Sequence, residues 1–232
     1  MTQSIETFKG GPDLARCHEL SASFDKYQLN FLYPKIKVEK IHAVELQFPI
    51  YQRGWFESQL TQYLQHRFVP VAEFFWDYYS ATQSGFLGQL MLSVELKRTV
   101  LNQPILRLNQ LGFYLLSEYE HHFNAPGYDN SGSYYGFNSQ INHEDHALKF
   151  EPLSGYRLLA FKQHQFVFYT ANIRPGKEGY QNRIYCLPID KFYFLQFRFI
   201  YNVECHDPAS LLWMNHSYLT ESEILDSVHL FT

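Results

Sequence analysis

Tyr193-Phe194-Leu195-Gln196-Phe197-Arg198-Phe199-Ile200-Tyr201-Asn202-Val203 is the stretch that decides the fold class. Tyr193, Leu195, Phe197, Phe199, Tyr201 and Val203 take every second position without a break, which is the period of a strand with one buried face. The stretch is too short to cross a bilayer as a helix, and Gln196 and Arg198 interrupt its apolar character. Upstream, residues 183–189 read as another strand, with Pro188 marking an edge because proline donates nothing to a ladder. Residues 174–179 read as a turn, and residues 157–173 as a strand or a hairpin turning near Gln163-His164-Gln165. Downstream, a loop surrounds His206-Asp207-Pro208. Thr220-Glu221-Ser222-Glu223 then has the T-x-x-E form of a capping box and predicts a short helix through Ile224, Leu225 and Val228. The last third is expected to be β-rich.

The first two thirds mix periods. Residues 1–24 have no clear period, and Gly10-Gly11-Pro12 is a turn signal. Tyr27, Leu29, Phe31 and Tyr33 share one face of a strand, which Pro34 interrupts. From 36 to 50 the apolar positions Ile36, Val38, Val44, Leu46, Phe48 and Ile50 predict one long bent strand or two short ones. Trp55, Phe56, Gln59, Leu60, Tyr63, Leu64, Arg67 and Phe68 recur at three and four residues, the spacing of an amphipathic helix. Pro70 can open a second helix, where its missing N–H is harmless, with Val71, Phe74, Phe75, Tyr78 and Tyr79 as an aromatic stripe. Leu90, Leu92, Val94 and Leu96 alternate as a strand. Pro104 opens a third helix with Leu108, Leu111, Leu115 and Tyr119 on one side; His121 and His122 near its end suit the helix dipole. This order, strands and helices in runs rather than in βαβ alternation, predicts an α+β domain over residues 1–232. It has a mostly antiparallel sheet packed by about three helices.

Composition narrows the function classes. The chain has 232 residues, 46% hydrophobic and 18% charged, with 21 Phe and 18 Tyr. That length and apolar content suffice for a real core. Tyrosine in such number also suits a recognition surface, since it gives contact area at low entropy cost. A formal charge of -4 lacks the basic footprint of a nucleic-acid binder. Cys17, Cys186 and Cys205 are odd in number and widely spaced, so a reducing compartment is expected rather than a disulfide framework. The N-terminus has no signal-peptide pattern. A cytoplasmic protein without membrane contact is expected.

Few residues look like chemistry. Asn142-His143-Glu144-Asp145-His146 sets two histidines beside two carboxylates, types that bind zinc or iron. Their spacing of three differs from the i, i+4 pair of a zincin helix, and in a strand it would send the two rings to opposite faces. A third ligand would have to come from His121, His122 or His206. No metal and no cofactor is expected. Glu118 and His122 are four apart and can pair on one helix face, as a surface ion pair or as a general base with its orienter. There is no G-x-S-x-G, no P-loop and no G-x-G-x-x-G, so acyl-transfer, nucleotide and dinucleotide chemistry have no support.

Two resemblances add to this. Residues 220–230, following the long aromatic strand, together with Phe48-Pro49-Ile50 and Gly54-Trp55-Phe56, resemble the closing strand–helix piece and the opening segment of Mog1/DcrB-like α+β proteins. That resemblance implies a sheet with helices and a role among chaperones and small binding proteins of bacterial secretion systems. In type, the compact, mildly acidic, aromatic-rich chain without catalytic signature is similar to bacterial immunity proteins. That resemblance implies a non-enzymatic protein that binds and neutralises a cognate toxin or secreted effector by occluding a site. The expected contact surface is the glycine- and tyrosine-bearing segment 128–146. There Tyr128, Tyr134 and Tyr135 are the anchors, Asp129, Glu144 and Asp145 meet basic groups of a protein partner, and His143 and His146 belong to the same partner-binding surface. The alternatives are a metal-dependent or acid/base hydrolase using the 143–146 cluster, and a secretion chaperone or adaptor.

Overall fold

A computed structural model of the chain describes residues 8–35, 46–62, 68–81, 85–99, 103–123, 156–171, 180–204 and 208–232. The elements, in chain order, are β1 (Phe8–Gly10), β2 (Asp13–Phe24), β3 (Tyr27–Lys35), β4 (Leu46–Gln47) and α1 (Trp55–Gln62). Then come β5 (Phe68–Ser80), β6 (Phe86–Arg98), α2 (Leu108–Phe123), β7 (Arg157–Ala160) and β8 (Gln165–Ala171). The chain closes with β9 (Tyr180–Pro188), β10 (Tyr193–Val203), α3 (Pro208–Asp226) and β11 (His229–Phe231). The fold is α+β.

The larger sheet has seven strands in the order β1-β5-β6-β10-β9-β8-β7, with antiparallel pairing throughout. The smaller sheet has the order β11-β3-β2-β4, and only the β2–β4 pair is parallel. β10 sits at the centre of the large sheet, between β6 and β9, so the strand with the cleanest alternation is also the one with two full ladders.

Alternation sorts side chains to the two faces of the large sheet. Phe74 and Trp76 of β5, Leu90 and Leu92 of β6, and Phe197 and Phe199 of β10 join a core that includes Leu20, Phe24, Leu29 and Phe31 of the small sheet. The contacts are edge-to-face: Phe31 meets Phe74 at 6.0 Å and Phe197 at 5.7 Å between ring centroids, the geometry aromatic quadrupoles favour. α3 adds Trp213, Ile224 and Leu225 to the same core. On the opposite face, Ile105, just before α2, and Leu111, Tyr114 and Leu115 of α2 lie over Val167, Ile184, Cys186 and Phe194. Gly112 lets Tyr156 lie against α2, because a Cβ there would meet its ring at 2.4 Å.

Several expectations are corrected. The helix expected after Pro70 is the strand β5. Its exposed and buried residues alternate from Glu73 to Ser80, so the stripe of Val71, Phe74, Phe75, Tyr78 and Tyr79 mixes two faces. Pro70 is tolerated because β1 pairs only with Tyr78–Ser80, and the register shifts beside the proline. The helix expected from Trp55 to Phe68 is shorter, since Phe68 already belongs to β5. The capping box at Thr220 lies inside α3 rather than at a helix start. There Thr220 Oγ1 donates back to the His216 carbonyl at 3.0 Å, a bond open to a mid-helix threonine. β9 is an interior strand; Pro188 ends it beyond the last residue paired to β8, so no ladder bond is lost. Residues 13–24, which have no clear period in the sequence, form β2. Strands are spread along the chain rather than gathered in its last third, which also holds the 19-residue α3.

Candidate functional site

The outer face of the large sheet is covered by α2 over β8 and β9 and is open over the Glu73–Tyr79 part of β5 and the Phe86–Met91 part of β6. On the open part, β5 presents Glu73, Phe75, Asp77 and Tyr79, an alternation of acid and ring in which all four are exposed. Same-face residues on a strand stand about 7 Å apart, so the four make a regular ladder of carboxylates and aromatic faces. The inward positions Phe74, Trp76, Tyr78 and Ser80 anchor the strand, which fixes the outward set.

β6 supplies the facing row. Ser93, Met91, Gln89 and Phe86 lie opposite Glu73, Phe75, Asp77 and Tyr79. Gln89 Nε2 donates to Asp77 Oδ1 at 2.7 Å, tying the carboxylate to the facing strand. Tyr79 and Phe86 pack edge-to-face at 5.6 Å, forming one aromatic ridge. Phe75 is 43% exposed, and Tyr79 and Phe86 are each 37% exposed; three large rings side by side on an open sheet face are more than scattered surface apolarity. Glu204, just past β10, adds a carboxylate at the margin, where Asn202 lies opposite Gln89. Lys9 on β1 lies opposite Tyr79 and is the cation at the other margin.

Further along β6 the same face closes over a row of charges. Ser93 and Glu95 are wholly buried, and Lys97, Gln196 and Arg198 nearly so. Arg198 Nη2 reaches Glu95 Oε1 at 2.6 Å, and Ser93 Oγ donates to that oxygen at 3.1 Å. Gln196 Nε2 donates to Glu95 Oε2 at 2.8 Å, with Lys97 Nζ 4.0 Å from it. Tyr169 OH in turn donates to Gln196 Oε1 at 3.4 Å. Gln196 is the direct cross-strand partner of Glu95, so this network ties the two central strands together. Both Glu95 oxygens are occupied by donors, which suits a fixed structural charge.

A second buried carboxylate lies on the inner face. Glu221 of α3 accepts from Arg183 Nε at 2.9 Å, from Tyr201 OH at 2.6 Å and from Tyr185 OH. Arg183 is held between the rings of Phe168 and Tyr218, 5.1 and 5.0 Å from their centroids. Burial works against the guanidinium charge, but the Glu221 carboxylate outweighs it and holds the pKa above its usual value. Burial first, then Glu221, raises both tyrosine hydroxyls, so they remain donors.

The described groups offer little for nucleophilic catalysis. Burial pushes the Cys186 thiol up, and burial followed by Asp13 and Glu223 raises the thiol of exposed Cys17; an activated cysteine needs the opposite shift. Ser217 Oγ donates to Tyr78 OH at 2.8 Å, and Tyr78 OH lies 3.2 Å from His216 Nδ1, but Ser217 is wholly buried. Among the described residues no group of three or more His, Cys, Asp or Glu could hold a metal ion, and no helix is long and apolar enough to cross a membrane.

Tyr128, Asp129, Tyr134, Tyr135, His143, Glu144, Asp145 and His146 all lie outside the described residues, as do the side chains of His121 and His122. Sequence reasoning missed the ladder on β5 because the proline and the stripe at three and four residues favoured a helix. The signal was present: Glu73, Phe75, Asp77 and Tyr79 interleave with Phe74, Trp76, Tyr78 and Ser80 at a period of two. Glu95, Lys97, Gln196 and Arg198 are likewise the polar positions of alternating strands, and Glu221 was hidden by the capping-box pattern. No protein-family model matches the chain, and no curated protein matches it.

Proposed function

We propose that the protein is a non-enzymatic binding protein of the immunity type, acting in the cytoplasm to occlude a site on a toxin or secreted effector. The observation that carries this reading is the open face of β5 and β6, where Phe75, Tyr79 and Phe86 stand exposed beside Glu73 and Asp77. Rigid strands present the rings, so little entropy is lost when a partner covers them, and aromatic anchors of this kind dominate interface energetics. The segment 128–146, with Tyr128, Tyr134, Tyr135, Asp129, Glu144 and Asp145, is proposed as a second part of the contact surface on sequence grounds.

The test is recovery of a stoichiometric partner with tagged full-length protein from its native host. The experiment is repeated with Phe75→Ala/Tyr79→Ala and, separately, with Tyr134→Ala/Asp145→Ala. Identification of a partner toxic to cells lacking this protein, and its loss with the β5 pair, supports the proposal. A partner retained at full affinity by both variants sinks the assigned surface. No stoichiometric partner under any condition sinks the binding function.

A further inference from the structure

The chemistry of the open face narrows what it can bind. Taking the face as a contact surface, as proposed above, we infer that it receives basic side chains of a partner protein, arginine above all. The exposed charges named on the face and its margins are the carboxylates of Glu73, Asp77 and Glu204 and the ammonium of Lys9, while Glu95, Lys97 and Arg198 further along the face are buried and paired with one another. A partner with carboxylates there would meet like charge, and a purely apolar partner would strip water from three carboxylates without replacing their hydrogen bonds.

The order of the ladder matters as much as its sign. Each carboxylate on β5 has a ring two residues away on the same face: Phe75 lies between Glu73 and Asp77, and Tyr79 follows Asp77. A guanidinium is the group that uses both neighbours at once. Its edge donates paired N–H bonds to a carboxylate while its plane lies on an adjacent ring. The molecule already uses that arrangement internally, where Arg183 donates to Glu221 and is held between Phe168 and Tyr218. The outer face offers the receiving half of the same arrangement on its exposed part; Arg198, two strands from Glu73 on the same face, is buried and paired with Glu95. The repeat of about 7 Å also equals the same-face spacing of an extended chain. A partner segment with arginine at alternate positions can therefore place successive guanidinium groups on successive acid–ring steps.

The test uses nitrogen-15-labelled full-length protein titrated with a heptapeptide of alternating threonine and arginine, followed by amide shift changes. Alternating threonine–lysine and threonine–glutamate peptides serve as comparisons. The expected result is saturable shifts centred on 73–79 and 86–91, in the order arginine, then lysine, with the glutamate peptide inert. Affinity should fall about tenfold with Glu73→Gln/Asp77→Asn, and comparably with Phe75→Ala/Tyr79→Ala. It should also fall steeply as salt is raised to about 0.5 M. Equal binding of the glutamate peptide, or arginine-peptide shifts that avoid β5 and β6, overturns the inference. The native partner separates the two levels. A partner lost with Phe75→Ala/Tyr79→Ala but indifferent to Glu73→Gln/Asp77→Asn and to salt leaves the binding function standing and overturns the basic-ligand assignment. A partner indifferent to both pairs overturns both.

Discussion

Replacing Glu221 by alanine tests how far the buried carboxylate holds α3 onto the large sheet. Glu221 is 3% exposed and accepts from Arg183 at 2.9 and 3.0 Å, from Tyr201 at 2.6 Å and from Tyr185. In Glu221→Ala two phenol groups, on residues 1% and 0% exposed, lose their acceptor. A buried donor left without a partner costs about 1–3 kcal/mol. Arg183 loses its counter-charge but keeps the Tyr185 oxygen at 3.0 Å and the two ring faces, and its side chain is 25% exposed, so water compensates part of its loss. Alanine returns a few tenths of a kcal/mol in helix propensity. The total is about 4 kcal/mol, in the range for breaking a buried pair from one side. For a chain of this size that is a fall of about 8–16 °C in Tm. Urea titration followed by the fluorescence of buried Trp76 and Trp213 measures it. Glu221→Gln keeps one acceptor oxygen and should cost about half as much. Arg183→Met should cost less in the alanine background than in the parent, with a coupling of about 1–3 kcal/mol. A loss under about 1 kcal/mol for Glu221→Ala, or additivity of the two changes, would refute the reasoning.

Other outcomes follow from single contacts. His164 and His216 both have pKa values below the usual 6.5, each through burial and His164 also through His229. His164 Nε2 accepts from the Leu230 amide at 3.1 Å, and His216 Nδ1 pairs with Tyr78 OH. The unfolded chain therefore binds protons first, and stability should drop as pH falls below about 6.5 and level off below the folded-state values. Urea midpoints across that window should be flatter in His164→Gln/His216→Gln. Gly88→Ala puts a Cβ 2.4 Å from the Asn202 carbonyl oxygen and 2.4 Å from the Trp213 ring. Since neither a ladder strand nor a core indole can yield easily, it should cost about 3 kcal/mol by thermal unfolding. A maleimide should label Cys17 in the folded protein, more slowly than a free thiol because its pKa is raised, and Cys186 only after denaturation, read by peptide mass mapping, because the first thiol is exposed and the second buried. Phe75→Ala/Tyr79→Ala should cost about 3 kcal/mol in urea unfolding, because residues 43% and 37% exposed have only part of their area out of water; a loss as large as that of two fully buried rings, above about 6 kcal/mol, would make them structural rather than contact residues.

By itself the sequence determined the strands whose period is unbroken and whose neighbours are local. The alternation in β10 and β6, the hairpin turning near His164 and the helix carrying Leu108, Leu111 and Leu115 are all present, because each is a short-range periodicity that one buried face imposes. The sequence also determined that aromatics abound at 18% and that the net charge is mildly negative, and that common nucleophile and phosphate motifs are missing. Tertiary structure decided the rest. The segment after Pro70 satisfies a helical stripe and a strand alternation at once, and pairing of Ala72–Tyr79 with β6 selects the strand. That choice alone turns Phe75 and Tyr79 outward beside Glu73 and Asp77 and creates the proposed contact face. Thr220-x-x-Glu223 fits a helix start locally, but Glu221 finds Arg183 and Tyr185 at separations of 38 and 36 residues. Such partners leave no periodic trace in the chain. Local spacing fixes which side chains share a face; only long-range pairing fixes whether that face meets the core, another charge, or water.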